Sequence, residues 1–296
     1  MAEAAAAPEL TPNERWQAVA VLVMGACIIG LSAILVRLSH VGPAAAGFWR
    51  LAFAMPLLAL MTLRSAGGFG PPPKMALLAG VFFFFDLVFW HYGIRYTSVT
   101  NATVLSNLTP VVVTAFAWIF LKQRPRMLFL AAVLAAVGGA WLMAIEKGGG
   151  GLKNQPLGDL LSLITAFWYA LYFLAMAEGR KTEGASTLML WVGLVGAPLL
   201  LLAALVLREP MLPADAIGWG ACVGLGLMHV TGQGSIAWAM GRLPTSTASV
   251  VVLIQPVVAA ILGWILFAEA IGPLQGLGAA ITLGGIVLAQ WASRKR

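Results

Sequence analysis

Pro110-Val111-Val112 and Trp118-Ile119 decide the reading of this chain, because both return in its second half as Pro256-Val257-Val258 and Trp264-Ile265. The whole run Ala102–Leu142 overlays Ala248–Leu288 at a constant offset of 146 positions, and Gly138-Gly139 falls on Gly284-Gly285. A second anchor sets Trp49 and Pro56-Leu57-Leu58 on Trp191 and Pro198-Leu199-Leu200 at an offset of 142. The change of offset fits a difference in loop length between the anchors. Leu, Ala and Val coincide by chance in so apolar a chain, whereas Pro and Trp are rarer and carry the match.

The duplication lies in a chain built for lipid. It is 60% hydrophobic and 10% charged, with mean hydropathy +0.91, where a soluble domain carries about 25% charged residues. Helices of roughly 20 apolar residues cross the hydrocarbon core. About ten such runs follow one another, near 16–38, 44–63, 75–96, 99–121, 126–145, 157–177, 187–207, 216–240, 245–267 and 273–292. No alternation of period two is sustained, which argues against a β-barrel. The expected fold is therefore an all-α membrane protein of ten transmembrane helices. Internal duplication in such a protein points to a transporter fold with its site between the repeats.

The net charge of +7 is explained by topology rather than by nucleic acid. With the N-terminus in the cytoplasm, twelve Lys and Arg fall on the cytoplasmic side and four (Arg95, Lys147, Lys153, Arg208) on the other. That bias puts both termini inside; Arg37 and Arg50, near helix ends, are left out of it. Five helices per half then make the repeats inverted. The expected organisation is a cytoplasmic tail over 1–15, a first five-helix repeat over 16–147, and a Gly-rich linker over 148–155. A second repeat over 156–292 and a basic cytoplasmic end over 293–296 complete it. The tail lacks the basic start and cleavage site of a secretory signal. Cys27 and Cys222 both lie inside expected spans, where a disulfide or metal site does not follow from them. Gly276, Ala280 and Gly284, four residues apart in the tenth span, are expected to let a neighbouring helix approach.

Polar residues inside spans are costly and mark candidate function. In the fourth span Thr100, Thr103, Asn107, Pro110 and Thr114 share a helical face, and Thr100 and Thr103 map onto Ser246 and Ser249. These hydroxyls either line a shared cavity or bond back to their own helices. Pro110 and Pro256, mid-span at equivalent positions, are expected to kink their helices and act as hinges. The aromatic third span places Asp86 and Trp90 on one face, with His91 nearer its end. Ser162, Thr165, Tyr169 and Tyr172 with Trp168 make a polar-aromatic face in the sixth span, and His229 and Gln233 share one in the eighth. The candidate substrate-binding set is thus Asp86, Trp90, His91, Thr103, Asn107, Trp168, Tyr172, His229, Gln233 and Ser249. Rings with a few amides and hydroxyls suit a small amphipathic solute. The histidines lack metal-ligand spacing and no phosphate or dinucleotide fingerprint precedes a helix, so no metal, cofactor or catalytic residue is expected.

The run Arg95-Tyr96-Thr97-Ser98-Val99-Thr100-Asn101-Ala102-Thr103-Val104-Leu105, continuing to Leu108-Thr109-Pro110-Val111, resembles the EamA repeat of the drug/metabolite transporter superfamily. So do Gly42-Pro43 and Phe48-Trp49-Arg50. The acid usual after the fourth helix of each repeat stands as Glu269 in the second half and is replaced by Gln123 in the first. The resemblance implies two inverted five-helix repeats around a central cavity and efflux of small metabolites from the bacterial cytoplasm. The aromatic residues are most similar to those of YddG-type amino-acid exporters. The expected activity is export of aromatic and other neutral amino acids and related metabolites across the inner membrane, by alternating access, as a facilitator. The expected protein is a monomer in the lipid bilayer. The alternatives are a proton-coupled exporter of other metabolites or drugs, a passive channel, and a membrane-embedded enzyme.

Overall fold

The computed structural model describes residues 10–65, 68, 70–96, 102, 105, 106, 108–119, 124–146, 155–267 and 272–294. Thr100, Thr103, Asn107, Gln123 and Glu269, the linker up to 154 and the two extreme ends lie outside them. The regular secondary structure of the described residues is helical, with no strand among them.

The first half comprises α1 (Pro12–Ile29), α2 (Ser32–Leu38), α3 (Pro43–Leu63), α4 (Lys74–Tyr96), α5 (Thr109–Ile119) and α6 (Met127–Glu146). The second comprises α7 (Gln155–Gly179), α8 (Ala185–Val206), α9 (Ala216–Met228), α10 (Gly234–Met240), α11 (Thr245–Val251), α12 (Ile254–Phe267) and α13 (Pro273–Arg294). A π-helical turn, His229–Gln233, joins α9 to α10. Among the described residues five helices are long and apolar enough to cross a membrane: Pro12–Leu38, Pro43–Leu63, Lys74–Tyr96, Pro156–Gly179 and Ala185–Val206. Met127–Leu142, Thr245–Val258 and Pro273–Ala289 are shorter apolar helices.

Local chemistry sets the helix ends. Thr11 and Glu14 form a reciprocal capping box at the start of α1, with Glu14 accepting from the Thr11 amide at 2.8 Å. Pro110 and Pro256 do not kink continuous helices. They sit in the first turns of α5 and α12, just after a break, where a missing N–H costs least. The carbonyl that each proline cannot serve finds another donor: Thr109 Oγ1 donates to the Ser106 carbonyl at 2.7 Å, and the Gln255 amide to Val252 at 3.0 Å. The prolines inside helices are instead Pro56 in α3 and Pro198 in α8.

The main packing partners are α6 with α13, α4 with α7, and α3 with α8. A Cβ added to Gly47 would lie 3.0 Å from Leu200, one on Gly196 2.9 Å from Leu51, and one on Gly193 3.3 Å from Met55. Positions rise along α3 as they fall along α8, so the two helices run antiparallel. In the α6–α13 pair, a Cβ on Gly139 would sit 2.6 Å from the Gly278 carbonyl, and one on Gly285 2.6 Å from the Ala136 amide. Gly139 and Gly285 are repeat equivalents, so each contact mirrors the other. Gly276, Ala280 and Gly284 are exposed, which corrects the expectation that they form the packing face. The face is shifted round the helix to Gly278, Thr282 and Gly285, and the Thr282 hydroxyl is shared between the Gly278 carbonyl of its own helix at 2.9 Å and the Ala136 carbonyl across the face at 3.3 Å.

Candidate functional site

Where α1 gives way to α2, the chain turns at Gly30-Leu31. Irregular backbone at membrane depth is tolerated where it is buried in protein or lines a cavity. This one lines a cavity of about 70 Å³, through Ile29, Gly30, Ser32 and Ala33. Arg50 of α3 and Phe83, Asp86, Leu87 and Trp90 of α4 form another wall. Ser106, which precedes α5, Thr165 and Tyr169 of α7, Gln233 of the π turn and Gln255 of α12 close the rest. The π turn displaces Gln233 from a regular helical register, a distortion that often accompanies function. Both halves of the duplication therefore contribute walls, but unequally in charge. The repeat counterparts of Arg50 and Asp86 are Val192 and Gly232.

Arg50 is the organising side chain. It is only 3% exposed, a costly position for a cation in a membrane unless partnered. Its Nε donates to His229 Nδ1 at 3.3 Å and its Nη1 to Ser32 Oγ at 3.4 Å, while the guanidinium lies 5.5 Å from the centre of the Phe83 ring. An arginine can only donate, so His229 Nδ1 accepts and a neutral His229 ring carries its proton on Nε2. Phe83 is in turn wedged between Tyr172 and His229, at 4.7 and 5.4 Å between ring centres. Gln233 Nε2 donates to the Tyr172 hydroxyl at 3.1 Å, fixing the amide that borders the cavity. The Gln255 Nε2 is buried with no partner among the described residues, and as a lining group it is a donor available to a solute.

Of the candidate substrate-binding set, Asp86, Trp90 and Gln233 line the cavity, together with Thr165 and Tyr169 of the polar-aromatic face read in the sixth span. Tyr172 and His229 lie behind that wall and hold Gln233 and Arg50. His91 is elsewhere: its Nδ1 is 2.7 Å from the Pro43 carbonyl, at the start of α3. Ser249 Oγ donates to its own helix at Ser246, 2.8 Å away, which is the back-bonding alternative. Trp168 stacks on Phe85 at 4.5 Å, outside the cavity lining. Thr103 and Asn107 lie outside the described residues. Arg50, Ser32 and Gln255 were not expected at the site. Each carries a signal in the sequence: Arg50 is a cation eight positions into an apolar helix, which reads as a residue near a helix end, and Ser32 and Gln255 are polar residues within expected spans.

A separate polar cluster closes one end of the bundle. Glu209, after α8, accepts from the Ala45 amide at 2.9 Å and from the Tyr92 hydroxyl. Trp49 Nε1 donates to the Met211 carbonyl at 2.7 Å and the Gly42 amide to Pro210 at 2.9 Å. Gly42 has no side chain with which to cap α3, and a Cβ there would overlap the Glu209 carboxylate. The cap is delivered from the other half of the chain, where an anion is favoured by the positive end of the helix.

Comparison with known proteins gives a consistent picture. The EamA-like transporter family matches residues 16–145 and again 156–291. An uncharacterised transporter of Archaeoglobus fulgidus is 24% identical over 91% of this chain and 95% of its own. A WAT1-related protein of Arabidopsis thaliana is 26% identical over 75% of this chain and 68% of its own length. The uncharacterised transporter YwfM of Bacillus subtilis is 26% identical over 69% of each. One solved crystal structure shares the fold, with a TM-score of 0.76 at 19% identity over 95% of this chain and 99% of its own.

Proposed function

The chain belongs to the EamA-like transporter family, a family of membrane transporters that matches it twice, and from that premise we propose that it exports amino acids. The proposed cargo is aromatic and other neutral amino acids and related small metabolites. The observation that carries the reading is the cavity between the two matched segments, which sets Arg50 and Asp86 beside Phe83, Trp90 and Tyr169. A few polar groups among aromatic walls are what a small amphipathic solute needs. The likeness to YddG-type exporters rests on aromatic residues of the sequence, of which Trp90 and Tyr169 border the cavity.

The antiparallel run of α3 and α8, the second spans of the two halves, supports ten spans arranged as inverted five-helix repeats over 16–147 and 156–292. The mirrored contacts of Gly139 and Gly285 support it further. Rocking of one repeat against the other would open the cavity to each side in turn. The twelve-to-four distribution of basic residues supports cytoplasmic termini in a bacterial inner membrane. A facilitator is favoured over a proton-coupled carrier because Asp86 has only Gly232 as its repeat counterpart, so no carboxylate pair is available as a relay.

The test is flux of labelled amino acids through the purified protein in liposomes. Phenylalanine and other neutral amino acids are expected to exchange across the bilayer with no pH gradient, at a rate that an imposed gradient changes less than about twofold. Accumulation driven by a pH gradient and abolished in Asp86→Asn would identify a proton-coupled carrier instead. No flux of any amino acid in the panel would sink the substrate assignment.

A further inference from the structure

We infer that Arg50 and Asp86 form a zwitterion clamp, in which Arg50 takes the carboxylate of the solute and Asp86 its ammonium group. This rests on the amino-acid reading above and sharpens it, since it names the atoms of the solute that the site selects. Three observations carry it. Both charges line the same cavity and come from adjacent helices, α3 and α4. Arg50 is held by His229 behind the wall and by Ser32 at its border, which engages two of the five N–H donors of a guanidinium and fixes the plane of the remainder. Trp90 is on the same α4 face as Asp86 and also borders the cavity, so an ammonium placed at Asp86 has a ring beside it.

The clamp accounts for two opposite charges in a cavity whose other polar lining groups, Ser32, Ser106, Thr165, Tyr169, Gln233 and Gln255, are uncharged. A single buried charge is expensive unless paired, and a zwitterion supplies one partner for each. A guanidinium matches a carboxylate with two parallel hydrogen bonds. An amine lacking the carboxylate would leave Arg50 without its partner and add a positive charge to the cavity. An acid lacking the ammonium would do the reverse at Asp86. Phe83 and Tyr169 give the solute's side chain an aromatic wall, and a cavity of about 70 Å³, smaller than the roughly 150 Å³ that holds a benzene ring, must widen as phenylalanine enters. The site therefore reads the backbone of an amino acid first and its side chain second.

The experiment is competition against labelled phenylalanine bound to the purified wild-type protein, using unlabelled phenylalanine, phenethylamine and 3-phenylpropionate. Phenylalanine is expected to compete at least about tenfold better than either analogue, as befits loss of a charge-assisted hydrogen bond. Arg50→Gln should weaken phenylalanine by about tenfold or more while leaving phenethylamine little changed. Asp86→Asn should do the same to phenylalanine while sparing 3-phenylpropionate. Ser32→Ala, which removes one support of Arg50 and no lining charge, should weaken phenylalanine more than phenethylamine. If all three ligands compete equally at the wild type, or if Arg50→Gln weakens all three alike, the clamp is wrong although the protein still binds amino acids. If labelled phenylalanine does not bind the wild type, the substrate reading fails and takes the clamp with it. The wild-type panel decides even where a variant does not fold.

Discussion

Gly139→Leu is expected to destabilise the protein by about 3 kcal/mol and to lower its melting temperature by several degrees. Helices in lipid gain little from hydrophobic burial against each other and depend on close packing, which small residues permit. At Gly139 a Cβ alone would lie 2.6 Å from both the Gly278 carbonyl oxygen and the Thr282 amide nitrogen. Backbone atoms cannot rotate away, so α6 and α13 must separate, breaking the Thr282–Ala136 hydrogen bond. Overpacking typically costs about 1–3 kcal/mol, and this contact stands at the upper end because nothing flexible absorbs it. The matched control is Gly276→Leu, on an exposed position of the same pair with open space around it. Melting temperatures in detergent should show that drop for Gly139→Leu and a near-wild-type value for the control. Equal behaviour of the two would mean that the α6–α13 contact is not packed as described.

The second large effect is expected at Glu209. Its carboxylate joins three parts of the chain: the start of α3 through Ala45, the end of α4 through Tyr92, and the segment after α8. Glu209→Ala leaves a helix-terminal N–H and a phenol without their acceptor. Hydrogen bonds to a charged group contribute about 1.5–3 kcal/mol each, so a drop of several degrees in melting temperature is predicted. Tyr92→Phe removes one of those bonds and should cost less; Glu209→Gln, which keeps an acceptor but not the charge, should fall between. A double-mutant cycle isolates the Tyr92–Glu209 coupling. Additive effects of Tyr92→Phe and Glu209→Ala would show that the pair is not coupled in solution.

The two clusters differ in how they could be read from the sequence. The helical spans, the repeat and the face shared by Asp86 and Trp90 follow from periodicity and composition, which are local. The α3 cap is not local: Gly42 gives no hint of a cap, and Glu209 reaches it only once α3 and α8 pair. Arg50 looked like a residue of a helix end because distance along the chain does not show where a helix lies in the bundle. His229 and Tyr172 were picked out as polar groups in spans, and the structure gives them supporting places behind Arg50 and Gln233. Spacing alone does not decide the packing face of α13, because several small residues compete for it. Gly276, Ala280 and Gly284 satisfy the four-residue spacing, but only contact with α6 distinguishes Gly278, Thr282 and Gly285. Trp168 and Ser249 show the converse, since mid-span aromatic and hydroxyl groups also serve helix packing and backbone bonding.

The central claim is that the solute binds in the cavity between the two repeats, and substrate protection of a thiol placed there tests it most directly. Ala33 lines the cavity without a polar role, so Ala33→Cys in a chain with Cys27 and Cys222 replaced puts a single reactive group at the site. A small membrane-permeant thiol reagent is expected to modify it and block phenylalanine flux in liposomes. Saturating phenylalanine should slow that modification several-fold, while phenethylamine at the same concentration should slow it much less. A modification rate unaffected by phenylalanine, in protein that still transports it, would place the binding site elsewhere and contradict the account.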